Sequence, residues 1–232
     1  MIDNNLPSQL GLIAGEGRFP FLVIEEAQRR GIGIVAVAIR GETSRDIESC
    51  LEEEPLWLDI GEVSRCVDLF KTSGVTKAIM AGRVKHAKAL SIQKPDALML
   101  KVLYRLSSRS GNDMLASLAL VFKEEGIEII DSTALLGHFM ASSGAMTKRT
   151  PTKSEHEELR FGTSKALGLA QLDIGQMVVV KRKAIVVAEA MEGSDAGILR
   201  ARDITEGPFV VVKVVGPKFD MRFDVPVVGP QT

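Results

Sequence analysis

The C-terminal third of this chain carries a concentration of carboxylates at informative spacing: Glu189, then Glu192-Gly193-x-Asp195, then Asp220-x-Arg222-x-Asp224-x-Pro226. Carboxylate oxygens are hard donors that suit Mg²⁺ or Mn²⁺, and such an ion, together with basic side chains, neutralises a phosphoanhydride under attack by water. If the last segment is extended, Asp220, Arg222 and Asp224 share one face, because strand side chains repeat every second residue. The same pattern also suits a solvated edge strand whose charges deter aggregation. A second group is the G-x-G turn Gly15-Glu16-Gly17-Arg18-Phe19-Pro20. Glycines there admit a phosphate to backbone N–H groups, and a following helix adds its positive end. Pro20 stands where a dinucleotide fingerprint wants a third glycine, and no acidic residue of the right kind follows the second strand, which ends in Ile39-Arg40-Gly41. This turn therefore fits a nicotinamide poorly. A third group is Ala81-Gly82-Arg83-Val84-Lys85-His86, in which Arg83 offers a bidentate fork and Lys85 a point charge for a diphosphate. Asp131 and Ser132 close another apolar run, and Arg109 and Asp113 lie in a polar stretch between helices.

The elements that must position these residues read as alternating strands and helices. LGLIAG at 10–15 ends in glycine, and Pro20 opens a helix through Phe21, Ile24 and Ala27 that Gly31 stops. IGIVAVAI at 32–39 is continuously apolar and β-branched, the mark of a strand covered on both faces. A helix over Val63–Thr72, a strand over Lys77–Ala81, helices over Asp96–Leu106 and Asp113–Glu125 and the strand IEIID at 127–131 complete the pattern. This predicts a Rossmann-like parallel sheet over residues 1–140, whose ligands gather beyond the strand carboxyl ends. ASSGAMTKRTPT lies within a linker at 141–153, and Ser154 with Glu157 suggests a capping box for the next helix. MVVVKRKAIVVAEA reads as two strands about a basic turn, followed by a helix from Ser194 and the strand FVVVKVV. Residues 154–232 thus form a second, mixed α/β domain.

Composition narrows the function. The chain has 232 residues, 45% hydrophobic and 25% charged, an ordinary globular mixture long enough for two domains. With 29 basic against 30 acidic residues it lacks the positive field of a nucleic-acid binder. Two cysteines without ligand spacing argue against a zinc site or disulfide framework and fit the cytoplasm. No apolar run is long enough to span a bilayer. Nine Met and nine Phe suit an irregular apolar groove, or simply a core.

LGLIAGEGRFP, IMAGRVKH, VVVKRKAIVVAEAMEGSDAGI and FVVVKVVGPKFDMRFDVPVVG, in that order, resemble the LpxI type of UDP-2,3-diacylglucosamine pyrophosphatase, a family of lipid A biosynthesis. The resemblance covers nearly the whole chain. It implies an N-terminal Rossmann-like domain, a C-terminal catalytic domain of distinctive fold, and a Mg²⁺-dependent hydrolase that splits UDP-2,3-diacylglucosamine into UMP and 2,3-diacylglucosamine 1-phosphate. On this basis Asp224 is expected to be the essential carboxylate, with Asp220 and Arg222 beside it, and Asp224, Glu192 and Asp195 to hold the metal. Arg83, Lys85 and Arg222 would neutralise the diphosphate, Gly15 and Gly17 cradle the uridine nucleotide, and Asp131 and Ser132 contact the substrate. A lipid nucleotide substrate implies transient, peripheral contact with the cytoplasmic face of the inner membrane, and a homodimer is compatible with the reading. Family members continue past the segment matching VVGPQT, so truncation of the second domain at Thr232 is expected. The competing readings are a nicotinamide-dependent sugar-nucleotide oxidoreductase and a non-catalytic UDP-sugar or lipid-binding module.

Overall fold

The computed structural model describes residues 6–84, 92, 94–106, 111–216, 220–222 and 225. The chain divides into two compact units, Met1–Met140 with Met221–Val225, and Ala141–Asp220 with Pro226–Thr232. One boundary lies between Met140 and Ala141. The return of Met221–Val225 to the first unit was not expected.

The first unit is a parallel sheet of β1 (Gln9–Ala14), β2 (Gly33–Ile39), β3 (Leu56–Leu58), β4 (Lys77–Ala81) and β5 (Glu128–Ile129), in the order β3-β2-β1-β4-β5. Its helices are α1 (Phe19–Arg29), α2 (Val63–Thr72), α3 (Ala97–Tyr104) and α4 (Gly111–Glu124). Alternation along each strand sorts the core into two layers. Leu10, Leu12 and Ala14 pack with Val23, Ile24 and Ala27 of α1, while Val35, Val37, Ala78 and Met80 pack with Phe70, Met99, Val102 and Phe122 of the other helices. Phe70 and Phe122 are essentially buried, with ring centroids 6.3 Å apart. Burial of one such side chain stabilises by about 2–3 kcal/mol. Pro20 lies at the start of α1 as expected, since the first helical N–H has no intrahelical partner to lose.

Asp96 begins α3 and is shared. Its Oδ1 accepts from the Met99 N–H at 2.9 Å, and its Oδ2 accepts from the Ser64 N–H of α2 at 2.6 Å. One carboxylate therefore caps two helices. The 3₁₀ turn Arg45–Cys50 and the three-residue β3 were not anticipated. So short a strand has no readable period, and forms because Val37–Ile39 of β2 pair with Leu56–Leu58.

The second unit begins with α5 (Lys153–Gln171), followed by β6 (Met177–Lys181), β7 (Ala184–Ala188), α6 (Ser194–Ile204) and β8 (Val210–Lys213). The sheet is antiparallel, β7-β6-β8. Ala166 of α5 packs against Val178, Val180 and Val212 on one face, and Ala201 of α6 against Met177, Val179 and Val187 on the other. The expected capping box is present two residues earlier than predicted: Thr152 and Glu155, not Ser154 and Glu157. The Arg149 guanidinium holds the Glu155 carboxyl down to about 2, helped by the N–H and hydroxyl of Thr152. Arg182 and Lys183 turn the β6–β7 hairpin with φ of 49° and 58°. The carboxylates of α5 steady this turn: Glu158 accepts from the Arg182 N–H, and Glu157 pairs with Lys183.

Candidate functional site

The order of the parallel sheet reverses between β1 and β4, which are hydrogen-bonded neighbours with crossovers leading in opposite directions. In open α/β sheets the crevice beyond the carboxyl ends at such a point takes the ligand. Here the two strand ends are joined: the Gly15 N–H donates to Ala81 O at 2.8 Å, Glu16 N–H to Arg83 O at 2.7 Å and Arg83 N–H to Glu16 O at 2.9 Å. The Arg83 guanidinium also reaches Glu16 Oε2, at 3.0 Å from Nη2, while staying 67% exposed. A partly neutralised but accessible cation therefore stands on the rim. Any Cβ at Gly15 would lie 2.6 Å from Arg83 O, so this glycine serves the strand junction. Gly17 differs, having a φ of +98° and open space where a Cβ would stand. The Arg18 side chain does not cap the first-turn N–H groups of α1.

The neighbouring loop is tied in by Thr43, whose Oγ1 accepts from Ile39 N–H at 2.9 Å and donates to Ala14 O at 2.6 Å. Beside it, Glu42 is 8% exposed. This carboxylate was not among those expected from sequence; it lies one residue past Gly41, beyond the strand end where an acidic residue was sought. At the end of β5, Asp131 Oδ1 accepts from the N–H and the hydroxyl of Thr133, both at 2.7 Å. Ser132 donates its N–H and its hydroxyl to Met221 O, at 3.0 and 2.9 Å. Both donors of Ser132 are thus engaged within the chain. Met221 and Arg222 form a turn, so the extended face proposed for Asp220 and Arg222 is not present. Asp224, Lys85, His86 and Arg109 lie outside the described residues.

In the second unit the acidic segment turns at Gly193 (φ +84°), and α6 starts at Ser194. Glu189 is buried; its Oε2 accepts from the Gln176 N–H at 3.2 Å and its Oε1 from the Ser194 hydroxyl at 2.7 Å. Lys213 Nζ, on β8, donates to the same hydroxyl at 2.9 Å. Neither Ser194 nor Lys213 was picked out from sequence; one sits between better signals, and the other passes for the polar position of a strand. Glu192 accepts from the Ala190 N–H at 3.0 Å and lies 3.7 Å from Arg200, whereas Asp195 is exposed on the first turn of α6. These carboxylates have the right donor chemistry for Mg²⁺ but not the number: among the described residues no three His, Cys, Asp or Glu converge as a metal site. Burial pushes the Cys66 thiol well up, which disqualifies it as a thiolate nucleophile. Among the described residues no helix is long and apolar enough to cross a membrane.

Comparison with known proteins places this geometry in context. The model of the LpxI N-terminal domain matches residues 9–139, and that of the LpxI C-terminal domain matches residues 142–232. A UDP-2,3-diacylglucosamine pyrophosphatase LpxI from Caulobacter vibrioides is 28% identical over 235 residues, which span 97% of this chain and 82% of that protein.

Proposed function

The chain belongs to the LpxI family, and from that premise we propose that it hydrolyses the pyrophosphate bond of UDP-2,3-diacylglucosamine in lipid A biosynthesis. The products are UMP and 2,3-diacylglucosamine 1-phosphate. The observation that carries this reading is the joined edge of β1 and β4, where the accessible Arg83 guanidinium stands beside the open turn at Gly17. A nucleotide diphosphate placed there meets a cation, bare backbone and the uncapped start of α1 within a few residues.

In this reading the Gly15–Gly17 turn receives the uridine nucleotide, with Gly17 admitting the ligand and Gly15 holding the junction. Arg83, Lys85 and Arg222 neutralise the diphosphate, and Asp131 contributes to the substrate site. Asp224 is the essential carboxylate and accepts the proton of the attacking water, with Asp220 in support. Water oxygen bonds to one phosphorus as the bridging P–O bond breaks, and the other phosphate leaves. Mg²⁺, with Mn²⁺ as a substitute, is the proposed cofactor; Glu192 and Asp195 do not form its site alone. The acylated sugar brings the protein transiently to the cytoplasmic face of the membrane.

The experiment is incubation of the purified full chain with UDP-2,3-diacylglucosamine and measurement of UMP. Catalytic release of UMP supports hydrolysis, and binding of the lipid nucleotide without release opposes it.

A further inference from the structure

We infer that Ser132 is a positioning residue, whose backbone N–H and hydroxyl fasten the carbonyl of Met221 and thereby set the backbone leading into Arg222. Ser132 is 1% exposed. Its two bonds to Met221 O, 3.0 Å from N and 2.9 Å from Oγ, join residues 89 positions apart in sequence. A carbonyl oxygen has two lone pairs, so this acceptor is satisfied by one residue.

The residues around Ser132 make it a firm anchor. Thr133 donates twice to Asp131 Oδ1, Ala134 N–H donates to Asp131 O at 3.1 Å, and Leu136 N–H to Thr133 O at 2.7 Å. Leu135 and Leu136 are buried in the layer beneath α1. Met221 follows the last residue of one stretch of the second unit and opens a segment that belongs to the first. Ordering a free segment costs conformational entropy, so a buried attachment at Met221 restricts the backbone entering Arg222 before reaction.

The inference rests on the proposed hydrolysis, in which Arg222 acts on the diphosphate. The test compares Ser132→Ala and Ser132→Thr in the full chain, measuring kcat, KM, UMP affinity and thermal midpoint on each preparation. Ser132→Ala should lower kcat per folded molecule about tenfold, the order that one buried hydrogen bond is worth, with KM and UMP affinity near their original values. Ser132→Thr keeps a hydroxyl and should recover most of the loss. An unchanged kcat per folded molecule in Ser132→Ala overturns the inference, as does a change confined to KM, which would mark a substrate contact.

Hydrogen exchange supplies an arm independent of activity and of whether the variant folds. In the unsubstituted protein the Ser132 amide should exchange at least about a hundredfold more slowly than a free amide; exchange at the free rate overturns the inference. If the unsubstituted protein binds UDP-2,3-diacylglucosamine without hydrolysing it, the functional proposal fails, and slow exchange at Ser132 would still support the attachment.

Discussion

Gly17 combines two features that its neighbour Gly15 does not: a φ of +98° and open space at the Cβ position. A β-branched residue is strained at that angle and fills the approach to the backbone. Gly17→Val should therefore weaken UMP binding about tenfold or more in a protein that still folds, read by titration calorimetry; undiminished affinity would remove this turn from the site. Asp224→Asn keeps the size of the side chain but not its charge, so turnover should fall by about two orders of magnitude while the lipid nucleotide still binds. Equal turnover per folded molecule would show a structural carboxylate. The sequence made Gly17 and Arg83 readable because a G-x-G turn and a cation at a strand end are local signals. Ser194 and Lys213 were not, since only the pairing of β8 with β6 and the start of α6 bring the ammonium to the hydroxyl.

The parallel strands could be read because a strand buried on both faces is a continuous apolar run, as in Ile34–Ile39. The features that could not be read depend on partners distant in sequence: β3 exists by pairing with β2, and the Asp96 carboxylate reaches Ser64, 32 residues earlier. Asp96→Ala would leave first-turn N–H groups of α2 and α3 without their acceptor. A loss of about 2 kcal/mol is expected, or roughly 4–8 °C in the thermal midpoint of the first unit, with turnover per folded molecule unchanged. A midpoint identical to that of the unsubstituted protein would show that water replaces the cap at no cost. The displaced capping box shows the same limit on a smaller scale: Thr152 and Ser154 both precede a glutamate by three, and the Arg149–Glu155 fork accompanies the earlier pair.

At the scale of the molecule, the chain leaves its second unit after Asp220 and returns to it at Pro226. Local pattern treats 154–232 as continuous, because nothing in the spacing of Asp220, Arg222 and Asp224 marks a change of unit. The carboxylates named for metal binding are accordingly not one sequence-local cluster, and the described ones do not suffice by themselves. Chelation tests the ion directly: hydrolysis should stop in EDTA and return with Mg²⁺, whereas full activity in chelator would exclude a dissociable metal. The most direct measurement of the central claim is product identification after incubating the full chain with UDP-2,3-diacylglucosamine and Mg²⁺. UMP and 2,3-diacylglucosamine 1-phosphate are expected in equal amounts, formed in proportion to time and protein. Release of UDP with an unphosphorylated lipid sugar, or substrate left intact, would contradict hydrolysis of the phosphoanhydride.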